Sequence, residues 1–194
     1  MLRSTLVLLA ALAAPALAQT TSTWEIDPAH SSIQFGVRHL MISTVKGKFP
    51  KFTATAVADE KEPTRAVVEA SIDTASIDTG EAKRDEHLRS PDFFDVAKYP
   101  AITFKSTKVE PAGERHFKLH GDLTMHGVTK PVVLDVEATQ QVKGMRGETR
   151  AGARATTKVN RKDFGINWSK TMDGGGVVVG DDVDVTIEVE AVKK

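Results

Sequence analysis

Hydrophobic and polar residues alternate along most of the chain after residue 24. Every even position of the segment 66–72 is apolar, whereas Glu69, Ser71 and Asp73 lie on the other face. The segment 182–191 repeats the pattern, with apolar residues at its odd positions and polar residues between them. A period of two is typical of strands that bury one face. The pattern predicts about eight strands, over residues 24–39, 44–58, 65–78, 101–109, 115–126, 131–142, 147–160 and 182–192.

The number and length of these strands favour a closed barrel. Each segment has one polar face and one apolar face, as antiparallel strands commonly do when one face of the sheet is solvated. Strands of about twelve residues are long for a sandwich, and a barrel leaves no strand edge unpaired. We therefore expect an all-β fold, an eight-stranded antiparallel β-barrel, in one domain over residues 19–194.

Two segments depart from the strand pattern. Residues 80–95 are rich in helix-forming residues, and Thr79 is positioned to cap a helix over residues 81–89. Ser90 and the proline after it suit the start of a second short turn, which carries two phenylalanines. We expect this helical segment to lie near the mouth of the barrel. Residues 173–176, with three glycines, predict a flexible bend.

The first residues predict export. Arg3 precedes an apolar stretch over residues 6–17, and small residues at 16 and 18 form a cleavage site, which is the layout of a secretory signal over residues 1–18. The apolar stretch is too short to span a bilayer; the alternative is an uncleaved anchor. In a bacterium with two membranes, we expect the mature protein to be soluble and periplasmic.

Composition narrows the partners and the chemistry. The chain has 26 basic and 26 acidic residues, so it lacks the basic field that attracts nucleic acid. It has no cysteine, which excludes thiol catalysis and thiolate metal sites. His116 and His120 are spaced too widely along a strand to share a metal. No nucleophile elbow, phosphate loop or dinucleotide fingerprint appears. We therefore predict no catalytic residue, metal or cofactor.

Small residues on the apolar faces bear on what fills the barrel. Alanines whose strand neighbours are polar should point inward: Ala66, Ala70, Ala151, Ala153 and Ala155. An eight-stranded barrel is just wide enough to be filled by large side chains, or to hold one ligand when the side chains are small. Alanine therefore favours a cavity, and an apolar cavity selects a long hydrocarbon. The alternative is that phenylalanines cross the centre and fill it: Phe35, Phe49, Phe104 and Phe117.

Short motifs run in order through the mature chain: WEID at 24–27 with HS at 30–31, VKGKF at 45–49, SIDTG at 76–80, RDEHL at 84–88, DFFD at 92–95, YPAITF at 99–104, GDLTMHGVTKPV at 121–132 and NRKDFGI at 160–166. This series resembles the YceI-like family of periplasmic polyisoprenoid-binding proteins, over nearly the whole mature chain. The resemblance implies an extended lipocalin-like barrel, often dimeric, that encloses an isoprenoid or a similar lipid and has no assigned enzyme activity.

Polar residues near the expected helix are candidates for holding the polar end of such a lipid. Arg84 suits a phosphate through its forked donors, and a neutral His87 can donate to a quinone carbonyl. Equally, Arg84 and Asp85 can be structural ion partners. His39 shares the apolar face of its strand, where it either forms a hydrogen bond within the core or contacts the ligand.

The leading hypothesis is a protein that carries or stores a polyprenyl chain or an isoprenoid quinone. Its partners would be this lipid, a membrane touched transiently and a second copy in a homodimer, but no nucleic acid. The predicted ligand-binding residues are Phe35, Val37, His39, Ala70, Arg84, His87, Leu88, Phe93, Phe94, Ile102, Phe104, Leu119, Leu134 and Ala153. Two alternatives remain: an enzyme acting on a bound lipid, with His39 or His87 as its base, and a stress-related protein that binds fatty acids or amides.

Overall fold

The computed structural model describes residues 21–59, 61–171 and 177–194. The predicted signal segment over 1–18 and the bend predicted at 173–176 lie outside the described residues. Within them the chain forms β1 Thr21–Ile26, β2 Ser32–His39, β3 Ser43–Lys48, β4 Phe52–Asp59, β5 Val67–Asp73, β6 Ala101–Gly113, β7 His116–Met125, β8 Val128–Ala138, β9 Val142–Lys143, β10 Thr149–Asn160 and β11 Val179–Lys193. The helix α1 spans Ala82–Arg89, and 3-10 turns occupy Pro28–His30, Pro63–Arg65, Thr74–Ser76 and Arg161–Phe164.

The strands form one closed antiparallel barrel. β1 and β2 both pair with β11, so together they act as one interrupted strand of the barrel. β3 and β4 act likewise, since β3 pairs with β2 and β4 pairs with β1. The ring continues in chain order through β5, β6, β7, β8 and β10, and the pairing of β10 with β11 closes it. The predicted eight-stranded antiparallel barrel is therefore confirmed.

The predicted strand boundaries are wrong at the interruptions. The sequence pattern predicts continuous strands over 24–39 and 44–58, but a proline stands in each break. Pro28 and Pro50 have no N–H to donate to a strand partner. The Asp27 side chain also accepts a hydrogen bond from the Ala29 N–H at 3.0 Å, which favours the turn over the strand. The predicted strand 131–142 likewise ends earlier, at Ala138.

The helix lies over one end of the barrel, and its start differs from the prediction. Glu81 rather than Thr79 caps it, by accepting a hydrogen bond from the Lys83 N–H at 3.1 Å. Arg89 fastens it to the segment after β5, since its guanidinium donates to the carbonyl oxygens of Ala75 at 2.7 Å and Ile77 at 2.6 Å. No helix in the described part of the chain has both the length and the apolar character needed to cross a membrane.

Buried apolar side chains concentrate at the barrel end that this helix covers, which we call the helix end. The opposite end, which we call the rim end, carries the loops 61–66, 114–115 and 139–148. The buried cluster consists of Ile33, Phe49, Ile77, Phe93, Ile102, Met125, Val159, Phe164 and Ile166. Most of these residues lie where the strands enter or leave the loops of the helix end, so this end is closed by packed side chains.

A charged cluster spans the seam where the barrel closes. The Arg150 guanidinium on β10 pairs with Asp27 after β1 at 2.8 Å, with Glu148 at 2.8 Å, and with Glu190 on β11. Asp27 Oδ2 also lies 2.9 Å from His30 Nδ1, with which it forms a hydrogen bond. The hydrogen bond from Arg150 lowers the pKa of Asp27 to about 2, and Arg150 also lowers the pKa of Glu148. The hydrogen bond to Asp27 raises the pKa of His30.

Replacing Arg150 with methionine is expected to destabilise the barrel in a pH-dependent way. Because folding lowers the pKa of Asp27, its stabilising interaction is present above the ordinary carboxyl pKa of 3.8 and is lost as the pH falls towards about 2. The difference in unfolding free energy between wild type and Arg150→Met, measured by urea denaturation, should therefore shrink over this range. In an Asp27→Asn background, the pH dependence of this difference in unfolding free energy should weaken. If the difference between wild type and Arg150→Met stays constant with pH, the result would contradict the assignment of the lowered pKa of Asp27 to Arg150.

Candidate ligand-binding cavity

An apolar cavity of about 520 Å³ occupies the interior of the barrel. Its walls are the inward faces of the barrel strands, and Leu88, Phe93 and Phe94 add to them from the helical segment. Alternation along each strand explains these walls, because apolar side chains recur at every second position and all face inward. In the described part of the chain, no Asp, Glu, Lys or His side chain lines the cavity.

Most of the predicted ligand-binding residues do line this cavity. They are Phe35, Val37, Ala70, Leu88, Phe93, Phe94, Ile102, Phe104, Leu119, Leu134 and Ala153. Their contact with a ligand stays a prediction. Three other predicted residues, His39, Arg84 and His87, do not line the cavity. His39 is the last residue of β2, where it pairs with Ser43 and Val179.

The polar side chains of the helix are engaged with its own surroundings. Arg84 donates from Nε to Thr79 Oγ1 at 2.7 Å and from Nη2 to the Thr79 carbonyl oxygen at 3.0 Å. The buried Asp85 accepts hydrogen bonds from the Thr79 N–H at 2.9 Å and hydroxyl at 2.5 Å. Of the two alternatives for Arg84 and Asp85, the geometry therefore favours a structural role, but through Thr79 rather than through a direct ion pair.

His87 also lies outside the cavity wall. Its Nε2 atom forms a hydrogen bond with Asp92 Oδ2 at 2.8 Å. Its ring packs edge-on against Phe93 and Trp168, with centroid distances of 5.0 and 5.1 Å. These contacts fix the imidazole on the outer side of Phe93, which itself lines the cavity, so His87 does not reach the interior.

Two phenylalanine rings lie against the barrel wall because glycines stand opposite them. A Cβ atom added to Gly121 would lie 2.3 Å from Phe104 Cζ, and one added to Gly47 would lie 2.3 Å from Phe35 Cζ. Each ring therefore takes the space of the absent side chain on the neighbouring strand. This arrangement keeps Phe35 and Phe104, two of the four phenylalanines in the alternative of a filled barrel, against the wall.

Phe35, Phe49 and Phe94 close the helix end, whereas Phe117 lines the cavity at the rim end, beside the loop 114–115. The ring centroids of Phe35 and Phe49 are 5.6 Å apart, and those of Phe49 and Phe94 are 5.9 Å apart in an edge-on contact. This row runs from β2 to the turn after the helix. It forms the floor of the cavity.

Small residues dominate the middle of the barrel and the rim end. Alanines face each other across neighbouring strands in the pairs Ala54 with Ala70, Ala138 with Ala153, and Ala151 with Ala191. Each of these residues lines the cavity. Trp24 and Phe117 are large exceptions. Trp24 is buried and paired with Ala56. Pro63 also lines the cavity although it is exposed in the loop after β4, so the cavity reaches the surface at the rim end.

Arg161 is a buried cation beside the cavity that was not among the predicted residues, although the motif at 160–166 contains it. Its guanidinium donates to four carbonyl oxygens and to a carboxylate: Gly180 at 2.9 Å, Ile166 at 2.8 Å, Trp168 at 2.7 Å, Val179 at 3.4 Å and Asp181 Oδ1 at 3.2 Å. Burial lowers the pKa of Arg161. Because all five N–H groups are engaged, Arg161 holds the helix end together and offers no free donor to a ligand.

One group of metal-type ligands lies outside the cavity. The ligand atoms of Asp27, His30 and Glu190 lie within 4.8 Å of one another, and no other such group occurs in the described part of the chain. Arg150 pairs with both carboxylates, so it already supplies the positive charge that a cation would bring. The arrangement fits the seam cluster described above rather than a metal site.

Replacing Arg161 with methionine should lower the free energy of unfolding by about 3 kcal/mol, because buried acceptors would lose their charged donor. Lys162→Met is the matched control. Lys162 is the next residue and also pairs with Asp181, at 2.9 Å, but it is exposed. Its loss should cost less than about 1 kcal/mol. Chemical denaturation of both variants measures the difference, and equal effects would show that the buried network of Arg161 contributes nothing beyond one surface ion pair.

The sequence over residues 24–191 matches the family described as the YceI-like domain. The chain is 39% identical over 188 residues to a UPF0312 protein of Vibrio cholerae, covering 96% of this chain and 95% of the relative. It is 42% identical over 165 residues to Protein YceI of Escherichia coli O157:H7, covering 85% of this chain and 83% of the relative.

Several solved structures share the fold. Burkholderia cenocepacia BcnA matches with a TM-score of 0.75 and 24% identity, over 85% of this chain and 98% of that one. A domain from Saccharophagus degradans, described as polyisoprenoid binding, matches with a TM-score of 0.67 and 14% identity, over 88% of this chain and 98% of that one. These two likenesses concern the fold, whereas the match over residues 24–191 decides the family. The chain belongs to the YceI-like family.

Proposed function

We propose that this protein is a periplasmic carrier that holds an isoprenoid, either a polyprenyl chain or an isoprenoid quinone, inside its barrel. The observation that carries the proposal is the apolar cavity of about 520 Å³, which runs from the aromatic floor to the rim. A hydrocarbon chain gains roughly 25 cal/mol for each Å² that it buries in such a site. A polar ligand would lose its water and find few partners in return.

The shape of the cavity favours a ligand that enters tail first. Its floor is closed by Phe35, Phe49 and Phe94, whereas small residues line the way to Pro63 at the rim. The polar head would then lie at the rim end, in contact with water. This orientation reverses the one expected from the sequence, in which the head lay beside Arg84 and His87.

The alanine pairs favour an isoprenoid over a straight acyl chain. Facing alanines leave recesses in the wall, and a chain with regular methyl branches fills recesses that a straight chain leaves empty. The Saccharophagus degradans domain described as polyisoprenoid binding shares the fold at 14% identity, which agrees with this proposal without carrying it.

The composition of the wall favours binding over catalysis. An enzyme acting on the bound lipid would need a base within hydrogen-bond reach of it. His39 and His87 were the candidates, and neither lines the cavity. The remaining cation in the described wall, Arg161, has its donors engaged by Gly180, Ile166 and other acceptors.

Ligand binding can be followed through Trp24, which lines the cavity. The chain has two tryptophans, so Trp168→Phe leaves Trp24 as the single tryptophan, which can be excited selectively over Tyr99. A short-chain isoprenoid quinone should quench its fluorescence in a saturable way. In this background Ala153→Phe should weaken binding by about tenfold or more, because the added ring occupies the cavity. Thr156→Phe on the outer face of the same strand should leave the affinity unchanged.

Two results would contradict the proposal. The first is that no saturable quenching occurs with the quinone. The second is that Ala153→Phe and Thr156→Phe bind it as tightly as the parent. Competition with oleate addresses the choice of lipid, since a straight chain that displaces the quinone at equal concentration would argue against the preference for branched chains.

The periplasmic part of the proposal has its own test. Expressed with residues 1–194 in a bacterium with two membranes, the protein should appear in the osmotic-shock fluid with residues 1–18 removed and Gln19 at its amino terminus. Intact-mass measurement and amino-terminal sequencing check this. A chain that keeps residues 1–18 and sediments with the membranes would contradict it.

A further inference from the structure

The rim end carries a protruding hairpin. Val142 and Lys143 of β9 pair with Arg150 and Thr149 at the start of β10. The turn between them is closed by hydrogen bonds from the Gly144 N–H to the Glu148 carbonyl at 2.8 Å and from the Gly147 N–H to the Gly144 carbonyl at 3.0 Å. The hairpin therefore holds a defined shape at its tip.

This hairpin exposes both apolar and positively charged side chains. Met145 is fully exposed, and Val142 is 58% exposed. Lys143 Nζ donates to Thr149 Oγ1 at 2.8 Å, and neither it nor the Arg146 guanidinium forms an ion pair with any described residue. The carboxylate of the hairpin, Glu148, is engaged by Arg150 at 2.8 Å. The unpaired charge at the tip is therefore positive.

The hairpin stands directly beside the cavity. Ala151 and Gly152, two and three residues beyond Thr149 on β10, line the cavity wall. At about 3.3 Å per residue, the hydrogen-bonded base of the hairpin lies roughly 7 Å outside Ala151, and the tip lies further out. A surface that the tip contacts would therefore face the rim of the cavity.

We propose that Val142, Lys143, Met145 and Arg146 form a docking site for the surface of an anionic phospholipid bilayer. The two apolar side chains enter the headgroup region, and the two cations pair with lipid phosphates. The proposal rests on the proposed function, because docking would set the rim against the membrane from which an isoprenoid is taken or to which it is returned. With two apolar and two basic side chains the contact is small, so it is reversible.

The helix end supplies a matched control. Met41 and Ile42, at the turn between β2 and β3, are 57% and 80% exposed. The nearby Arg38 donates to the Met41 carbonyl oxygen at 2.7 Å and to Thr44 Oγ1 at 3.3 Å, and like Lys143 it forms no ion pair with a described residue. Exposed apolar side chains beside a cation thus occur at both ends, but the hairpin at residues 142–150 is the one that stands at the open end of the cavity.

Co-sedimentation with vesicles tests the proposal. The purified protein should bind vesicles of phosphatidylcholine mixed with phosphatidylglycerol more strongly than vesicles of phosphatidylcholine alone. The double variant Val142→Ser with Met145→Ser should reduce binding to the anionic vesicles by about tenfold. Lys143→Gln with Arg146→Gln should remove the preference for phosphatidylglycerol. Met41→Ser with Ile42→Ser should bind like wild type.

The docking proposal is overturned if wild type does not prefer the anionic vesicles, or if the Met41 and Ile42 variant loses as much binding as the Val142 and Met145 variant. Quinone quenching of Trp24, measured in solution on the same variants, separates this outcome from a failure of the proposed function. Quinone binding without vesicle binding would contradict the docking proposal alone. The absence of quinone binding in every variant would contradict the proposed carrier function.

Discussion

The ladder between β10 and β11 closes the barrel, and the interior depends on its register. It runs unbroken from Arg150 opposite Val192 to Asn160 opposite Asp182. A slip of one strand by a single residue would turn its charged side chains, such as Arg154 of β10, into the apolar interior and its alanines into water. Charges buried without partners are costly, so the register is strongly specified. The pairing of Arg150 with Asp27 and Glu190 holds the same seam at the rim end.

Once closure has fixed the width of the barrel, the sizes of the inward side chains decide how much of it stays empty. At the helix end Phe49, Ile77 and Phe93 are buried and fill the cross-section. Further along, Phe104 lies where a side chain of Gly121 would be, and facing alanines leave the centre open. A cavity in a protein interior loses van der Waals contacts unless something occupies it. The packed helix end therefore stabilises the fold, while the open part gains contacts from a ligand.

The alternation of apolar and polar residues was enough to predict the barrel and the inward faces of its strands. This alternation is a local property of each strand, and the pairing of neighbouring strands keeps the apolar side chains on the same side of the sheet. The breaks at Pro28 and Pro50 were not predicted, since strand edges and bulges tolerate proline. The match of Phe104 with Gly121 depends on the register between β6 and β7, which no local pattern contains. The same limit applies to Arg161, whose acceptors come from β11 and from residues 166–168 in the loop before it. It also applies to Arg84, because its charge suggested a ligand whereas its partner in the structure is Thr79.

The difference between the two ends gives the barrel a direction. A polar headgroup at the helix end would have to give up its water beside a wall whose buried cation, Arg161, already donates to five acceptors. The same headgroup at the rim keeps its water, because the cavity reaches the exposed Pro63 there. Burial of the chain and hydration of the head are therefore satisfied together in one orientation. A ligand bound in the proposed orientation would leave as it entered, past the rim, so exchange with a membrane or partner would take place at that end.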